Sequence, residues 1–163
     1  SLGKQFAAHA VTRVYKALVW GVPRTLAGTI DGDLGRSPLN RQKIAVLRVG
    51  GKPARTHYKV IETFGTTAAL VECRLETGRT HQVRVHMAHI GHPLIGDPLY
   101  ATGFRTKEKL LPETARAAIA ELGRQGLHAA RLEFPHPVTR EQLAFESAAP
   151  ADFEKVAAAL GET

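Results

Sequence analysis

The clearest alternation of apolar and polar positions lies in residues 68–76. Ala69, Val71, Cys73 and Leu75 fall on one side there, and Glu72, Arg74 and Glu76 on the other. A period of two with one apolar side predicts a β-strand whose apolar face is buried, and it makes Cys73 a core residue. Residues 55–64 predict the preceding strand, joined to it through Gly65-Thr66-Thr67. Residues 11–22 (VTRVYKALVWGV) are rich in Val, Tyr and Trp and predict another strand, stopped by Pro23. A short apolar-alternating stretch at 43–49 is broken by Gly50-Gly51, and residues 128–134 and 142–146 predict two more strands. Residues 28–41, with their glycines, proline and asparagine, predict turns.

Helical periodicity marks residues 81–90, where Val83, Met87 and Ile90 lie within about 60° of one another on a helix of about 100° per residue. Thr80 is the expected N-cap and Gly91 the expected stop. Residues 113–122 and 150–160 predict two further helices, the second with Asp152 in its first turn, where the helix dipole favours an acid. Residues 2–9 resemble the end of a short helix, and the stretch containing Pro93, Gly96-Asp97-Pro98 and Gly103 is predicted irregular. Strands and helices that do not strictly alternate predict an α+β fold, with a mostly antiparallel mixed sheet flanked by helices. No linker divides the chain, so one domain over 1–163 is expected.

Composition narrows the partners. The 22 Lys and Arg outweigh 15 Asp and Glu, and the isoelectric point near 9.9 favours a polyanion. A single cysteine rules out an intrachain disulfide and is simplest in a reducing compartment, so a cytoplasmic protein is expected. No apolar run approaches the roughly 20 residues that span a bilayer, and no membrane partner is expected.

The densest polar cluster is Glu76 to Tyr100, with two arginines and four histidines. A metal site from His81, His86, His89 and His92 meets a geometric obstacle. On one helix rising about 1.5 Å per residue, His81 and His92 would lie about 16 Å apart, whereas zinc ligands bind at about 2 Å from the metal. An anion-handling element fits better. Arg84 shares a helix flank with His81 and Ala88, beside the apolar stripe, so it is expected half-buried and in need of a carboxylate or phosphate. The partner is either a structural salt bridge or a catalytic carboxylate or RNA phosphate. Arg79 and His81, at the turn and the helix N-terminus, are placed to meet a phosphate.

The run TGRTHQVRVHMAHIGHPLIGDPLY (Thr77 to Tyr100) resembles the signature block of the RluA-type RNA pseudouridine synthases of the large ribosomal subunit. RVYKALVWGVP (Arg13 to Pro23) resembles that family's tyrosine motif. Gly51-Lys52-Pro53-Ala54 with Thr56 and Tyr58 resembles its middle block, and LHAARLEFPHPVT (Leu127 to Thr139) its closing block. The resemblance implies the pseudouridine synthase catalytic-domain fold and isomerisation of uridine to pseudouridine in RNA, without a cofactor. Ribosomal RNA is the implied partner, with transfer RNA second. It implies that Arg84 pairs with a catalytic aspartate, and that Tyr15 packs on the target base. Arg79, Thr80, His81 and Gln82 match the approach to the signature helix, close to RNA, with fold support as their alternative role.

The family's nucleophile sits in a block like Arg-Leu-Asp followed by Thr-Ser-Gly. Asp31, Asp33, Asp97 and Asp152 are the chain's only aspartates, and none lies in such a block. Asp97, between Gly96 and Pro98, is expected to cap its own turn. The chain is therefore expected to lack the N-terminal part of the catalytic domain, together with any N-terminal RNA-binding domain, and to be inactive alone. A noncatalytic RNA-binding domain and a histidine metal hydrolase are the competing functions.

Overall fold

The computed structural model describes residues 11–162. The helix expected over 2–9 lies outside them. Six strands form one sheet: β1 (Thr12–Trp20), β2 (Ala27–Asp31), β5 (Arg55–Phe64), β6 (Ala68–Leu75), β7 (Leu127–Pro135) and β8 (Gln142–Glu146). Their order is β2-β5-β6-β1-β7-β8, and every neighbouring pair is antiparallel. The short strands β3 (Leu34–Arg36) and β4 (Ile44–Val46) make a separate ribbon. The helices are α1 (Gln82–His89), α2 (Arg105–Lys109), α3 (Glu113–Leu122) and α4 (Ala151–Gly161). No described helix is long and apolar enough to cross a membrane.

The second half of β1, from Ala17 to Trp20, is apolar on both faces because both are covered. Leu18 and Trp20 join Phe64 and the buried sides of α3 and α4 in one core, while Ala17 and Val19 join Val71, Cys73, Val83 and Met87 in the other. The second core seats α1 on the sheet. The opposite side of α1 is covered by the β3–β4 ribbon, where Val85 packs with Leu34, Ala54, Ile44 and Val46. This double cover explains why Gln82, Val85 and His86 are buried as well as Val83 and Met87 of the predicted stripe, whose third member, Ile90, is half-buried.

β7 pairs with β1 only as far as Ala17. Beyond it the segment around Pro93–Ile95 takes the place of a strand. Trp20 N–H donates to the Pro93 carbonyl and Ile95 N–H to the Leu18 carbonyl, each near 2.9 Å. That docking brings Asp97 beneath the N-terminal half of α1.

The turn predicted over 28–41 is a correction, since β2 and β3 run through it. Gly28 is there for close approach: a β-carbon on it would lie 2.9 Å from the Tyr58 ring, which crosses β2. Gly35 likewise leaves room for Leu47, 2.6 Å from where its β-carbon would be. The stretch after Gly103 also contains the unpredicted α2.

Gly96 is fixed by two constraints, a φ of +80° and the Arg124 carbonyl oxygen 2.5 Å from any β-carbon placed on it. Gly65 has a φ of +58° but open space around it. Gly65→Ala should therefore lose only the backbone preference, about 1–2 kcal/mol. Gly96→Ala should lose clearly more by urea unfolding, and equal losses would contradict the close approach.

Candidate active site

Helix α1 opens abruptly. His81 precedes it in a left-handed conformation, φ 56° and ψ 21°, and no side chain caps the first turn. The cap expected from Thr80 is not made; Thr80 is exposed and stands outside the cleft described below. Gln82 organises this turn instead. Its Oε1 accepts from the Thr77 hydroxyl at 2.8 Å and the Arg79 N–H at 3.0 Å, and its Nε2 donates to the Arg55 carbonyl and Thr56 Oγ1, both at 3.0 Å. An amide has two donors and two acceptor positions, so all four are spent inside the protein. Gln82 is 2% exposed, and these four bonds tie the 77–79 turn to the start of β5.

The network runs on into the core. Thr56 Oγ1 lies 2.8 Å from His86 Nδ1, and His86 Nε2 lies 3.0 Å from the Gly32 carbonyl. The carbonyl only accepts, so Nε2 carries the proton and Nδ1 accepts from the threonine. Burial pushes the His86 pKa down and outweighs the carbonyl bond. Both ring nitrogens are thus used, which removes His86 from the four-histidine metal set. Among the described residues no cluster of three or more potential ligands could hold a metal ion.

Tyr15 from β1, Arg79 and His81 from the turn, and Gln82 and Arg84 from α1 line one cleft of about 260 Å³, together with Arg13. Tyr15 is half-buried against the α1-side core. Arg79 Nε donates to the Pro53 carbonyl at 3.0 Å. Among the described residues no Asp or Glu lines the cleft.

Arg84 has its carboxylate within the chain. Its Nε and Nη2 donate to Asp97 Oδ2 and Oδ1, both at 2.8 Å, and the two side chains are 9% and 0% exposed. This corrects the expectation that Arg84 is half-buried: it is buried, and the structural salt bridge, one of its two expected kinds of partner, is made by Asp97 on one edge of the guanidinium. Asp97 does cap its turn as well, accepting the N–H groups of Leu99 and Tyr100 at 2.9 and 3.1 Å. Burial alone would raise the Asp97 pKa, but the Arg84 bonds and these two N–H groups hold it below the usual carboxylate range. The Arg84 pKa is raised, first through its bond to Asp97. The Tyr100 ring packs on Arg84, with Cζ 5.1 Å from the ring centroid.

Sequence reasoning overlooked Asp97 and Tyr100 as members of the site. Both stood in the signature block, but Arg84 and Asp97 are thirteen positions apart, and the irregular chain after the helix carries no periodicity that would pair them. The other aspartates are elsewhere. Asp31 pairs with Arg55 at 2.7 Å, Asp152 with Arg124 at 2.6 Å, and Asp33 is exposed beside the β3–β4 ribbon.

Asp97→Ala leaves a buried guanidinium uncompensated and should cost about 3–5 kcal/mol at neutral pH by urea unfolding. The folded state holds Asp97 ionised more firmly than the unfolded chain does. Its contribution is therefore complete above about pH 4 and disappears as pH falls through the depressed value. The gap between wild type and variant should narrow on acidification, and a gap that widens would contradict the pairing.

A family model described as RNA pseudouridylate synthase matches residues 1–89. The ribosomal large subunit pseudouridine synthase D of Zymomonas mobilis is 47% identical over 94% of this chain and 46% of its own length. The protein of the same name from Pseudomonas aeruginosa is 46% identical over 91% of this chain and 45% of its own. Among solved structures, human RNA pseudouridylate synthase domain containing 1 superposes with a TM-score of 0.72 at 28% identity, over 92% of this chain and 59% of that one. The chain spans about half the length of the curated relatives it matches. With the signature block folded around a cationic cleft, the matches establish that this chain belongs to the RNA pseudouridylate synthase family.

Proposed function

We propose that the chain is the larger part of a catalytic domain that isomerises uridine to pseudouridine in RNA, with large-subunit ribosomal RNA preferred over transfer RNA. The observation that carries this function is the convergence of Tyr15, Arg79, His81 and Arg84, from separate elements, on one cleft with no carboxylate of its own.

The target uridine leaves its stack to reach the cleft. Tyr15 offers a flat apolar face to the base. Arg79 and the basic surface, within a net charge of +7, hold phosphates without reading sequence. In the reaction the C1′–N1 bond breaks, the uracil turns, and a C1′–C5 bond forms; the C5 hydrogen leaves as a proton and N1 takes up a proton in its place. A carboxylate acts at ribose or base. Arg84 keeps that carboxylate ionised through a charge-assisted bond. Asp97 occupies Nε and Nη2, so Nη1 is the part of Arg84 left to meet it. The nucleophile is none of the four aspartates, since one is buried against Arg84, two are paired elsewhere, and none lines the cleft. The 163 residues are accordingly inactive alone. The chemistry requires no cofactor, and the enzyme works in the cytoplasm. Thr80 touches RNA only at the rim, because it is exposed outside the cleft.

Tritium release from ribosomal RNA labelled at uridine C5 tests this directly. The chain alone should release none, and a longer form that also carries an Arg-Leu-Asp block should release it. Arg84→Lys in that longer form should lower kcat by about 100-fold or more, the scale of losing one preorganised donor. Release by the chain alone would refute the assignment of the nucleophile, and full activity of the lysine variant would remove Arg84 from the site.

A further inference from the structure

We infer that Tyr100 sets the tautomer of His81, so that a neutral imidazole presents its Nε2–H to a carbonyl oxygen of the uracil in the cleft. Tyr100's role rests on the uridine-binding cleft proposed above, and makes Tyr100 a positioning residue that acts through His81.

Two independent features single out His81. Its backbone is left-handed, which among the described non-glycine residues is shared only by Arg140. Such a conformation persists where the surroundings over-determine it. Its side chain is also fixed: Nδ1 lies 2.8 Å from the Tyr100 hydroxyl, and the two rings meet edge to face at 78° with centroids 5.7 Å apart.

The hydroxyl decides the tautomer. It accepts the Ile44 N–H at 2.9 Å. It has one hydrogen to donate, and its only described acceptor is His81 Nδ1. A proton on Nδ1 would aim a second donor at the oxygen and strand the hydroxyl hydrogen. Donation to Nδ1 satisfies both groups and leaves the imidazole proton on Nε2. His81 Nε2 makes no hydrogen bond among the described residues, and His81 is one of the residues that line the cleft.

The charges around the ring favour the neutral form. Burial and the Arg84 guanidinium push the His81 pKa down, and Asp97 acts in the opposite direction without overcoming them. Burial raises the Tyr100 pKa, which keeps its hydroxyl a donor. Tyr100 is itself located by Asp97, whose Oδ1 accepts its N–H, and by the guanidinium against its ring. One carboxylate thus aligns both the cation and the neutral donor. The ligand follows from that contrast. Arg84 already answers the anionic oxygens of Asp97, Arg79 is the cation proposed above for phosphate, and a neutral N–H in the cleft that Tyr15 also lines suits the neutral carbonyl of a base.

Long-range ¹⁵N–¹H NMR of the imidazole rings in the 163-residue chain tests this without requiring catalysis. At neutral pH, His81 should show an unprotonated Nδ1 and a protonated Nε2. Tyr100→Phe, which keeps the ring on Arg84, should move both nitrogens towards the average of exchanging tautomers. A wild-type ring that is already averaged, or protonated at Nδ1, would overturn the inference, and this wild-type spectrum decides even if the variant folds poorly. Adding uridine should shift Nε2, and inorganic phosphate should not. A shift with phosphate alone, or with neither, would overturn the carbonyl assignment. Because none of these readouts is turnover, they can fail while tritium release succeeds, or succeed while it fails.

Discussion

Arg84 and Asp97 are full charges removed from water, with side chains 9% and 0% exposed, and the cleft is built around keeping them together. Such a pair survives only with good geometry and further hydrogen bonds for its remaining groups. Here the carboxylate meets the guanidinium on two atoms and takes two backbone N–H groups besides. Reaching that position requires the left-handed turn at Gly96, which only a residue without a β-carbon fits. It also requires the 93–95 segment to lie against β1 in place of β7. The ion pair thus ties the signature helix to the irregular loop, while the apolar core and the 93–95 backbone bonds hold each of them to the sheet.

The opposite flank of the same helix is organised without charge. Gln82 spends every hydrogen bond it has on the 77–79 turn and the start of β5, and Thr56 passes the chain of bonds to His86 and Gly32. Fully satisfied buried networks of this kind rigidify a core. The result is a division of labour along one helical turn. His86 looks inward and holds the helix, His81 and Arg84 line the cleft, and Gln82 does both. Sites held on rigid elements by such supporting bonds keep their donors aimed without reorganisation during reaction.

Much of this was legible in the sequence. The bounds of β5, α3 and β8 follow from alternation, from Ala and Glu content, and from the turn signals around them. The failures share one cause: a local signal was outweighed by a partner far along the chain. Gly28 and Gly35 looked like turn residues, yet they sit in strands because Tyr58 and Leu47 pack across them. Thr80 looked like a cap, but the turn is closed by a glutamine side chain reaching back. Arg84 was recognisable as a cation needing a carboxylate. That Asp97 supplies one depends on how the 90–97 segment docks, which no periodicity encodes. The motif block held residues that the fold brings to one cleft, and the coordinates were needed to show which of their hydrogen bonds are spent within the protein.

The dependence of the cleft on the buried pair is tested most directly by a double-mutant cycle in the 163-residue chain, using Arg84→Met and Asp97→Leu and measuring unfolding in urea. If the two charges exist in the fold chiefly for each other, each single change leaves a buried charge unpaired and lowers stability sharply. The double change should then recover much of the loss, because neither charge remains. Losses that simply add would show that the two residues act independently, and would contradict the ion pair as the constraint around which the cleft is built.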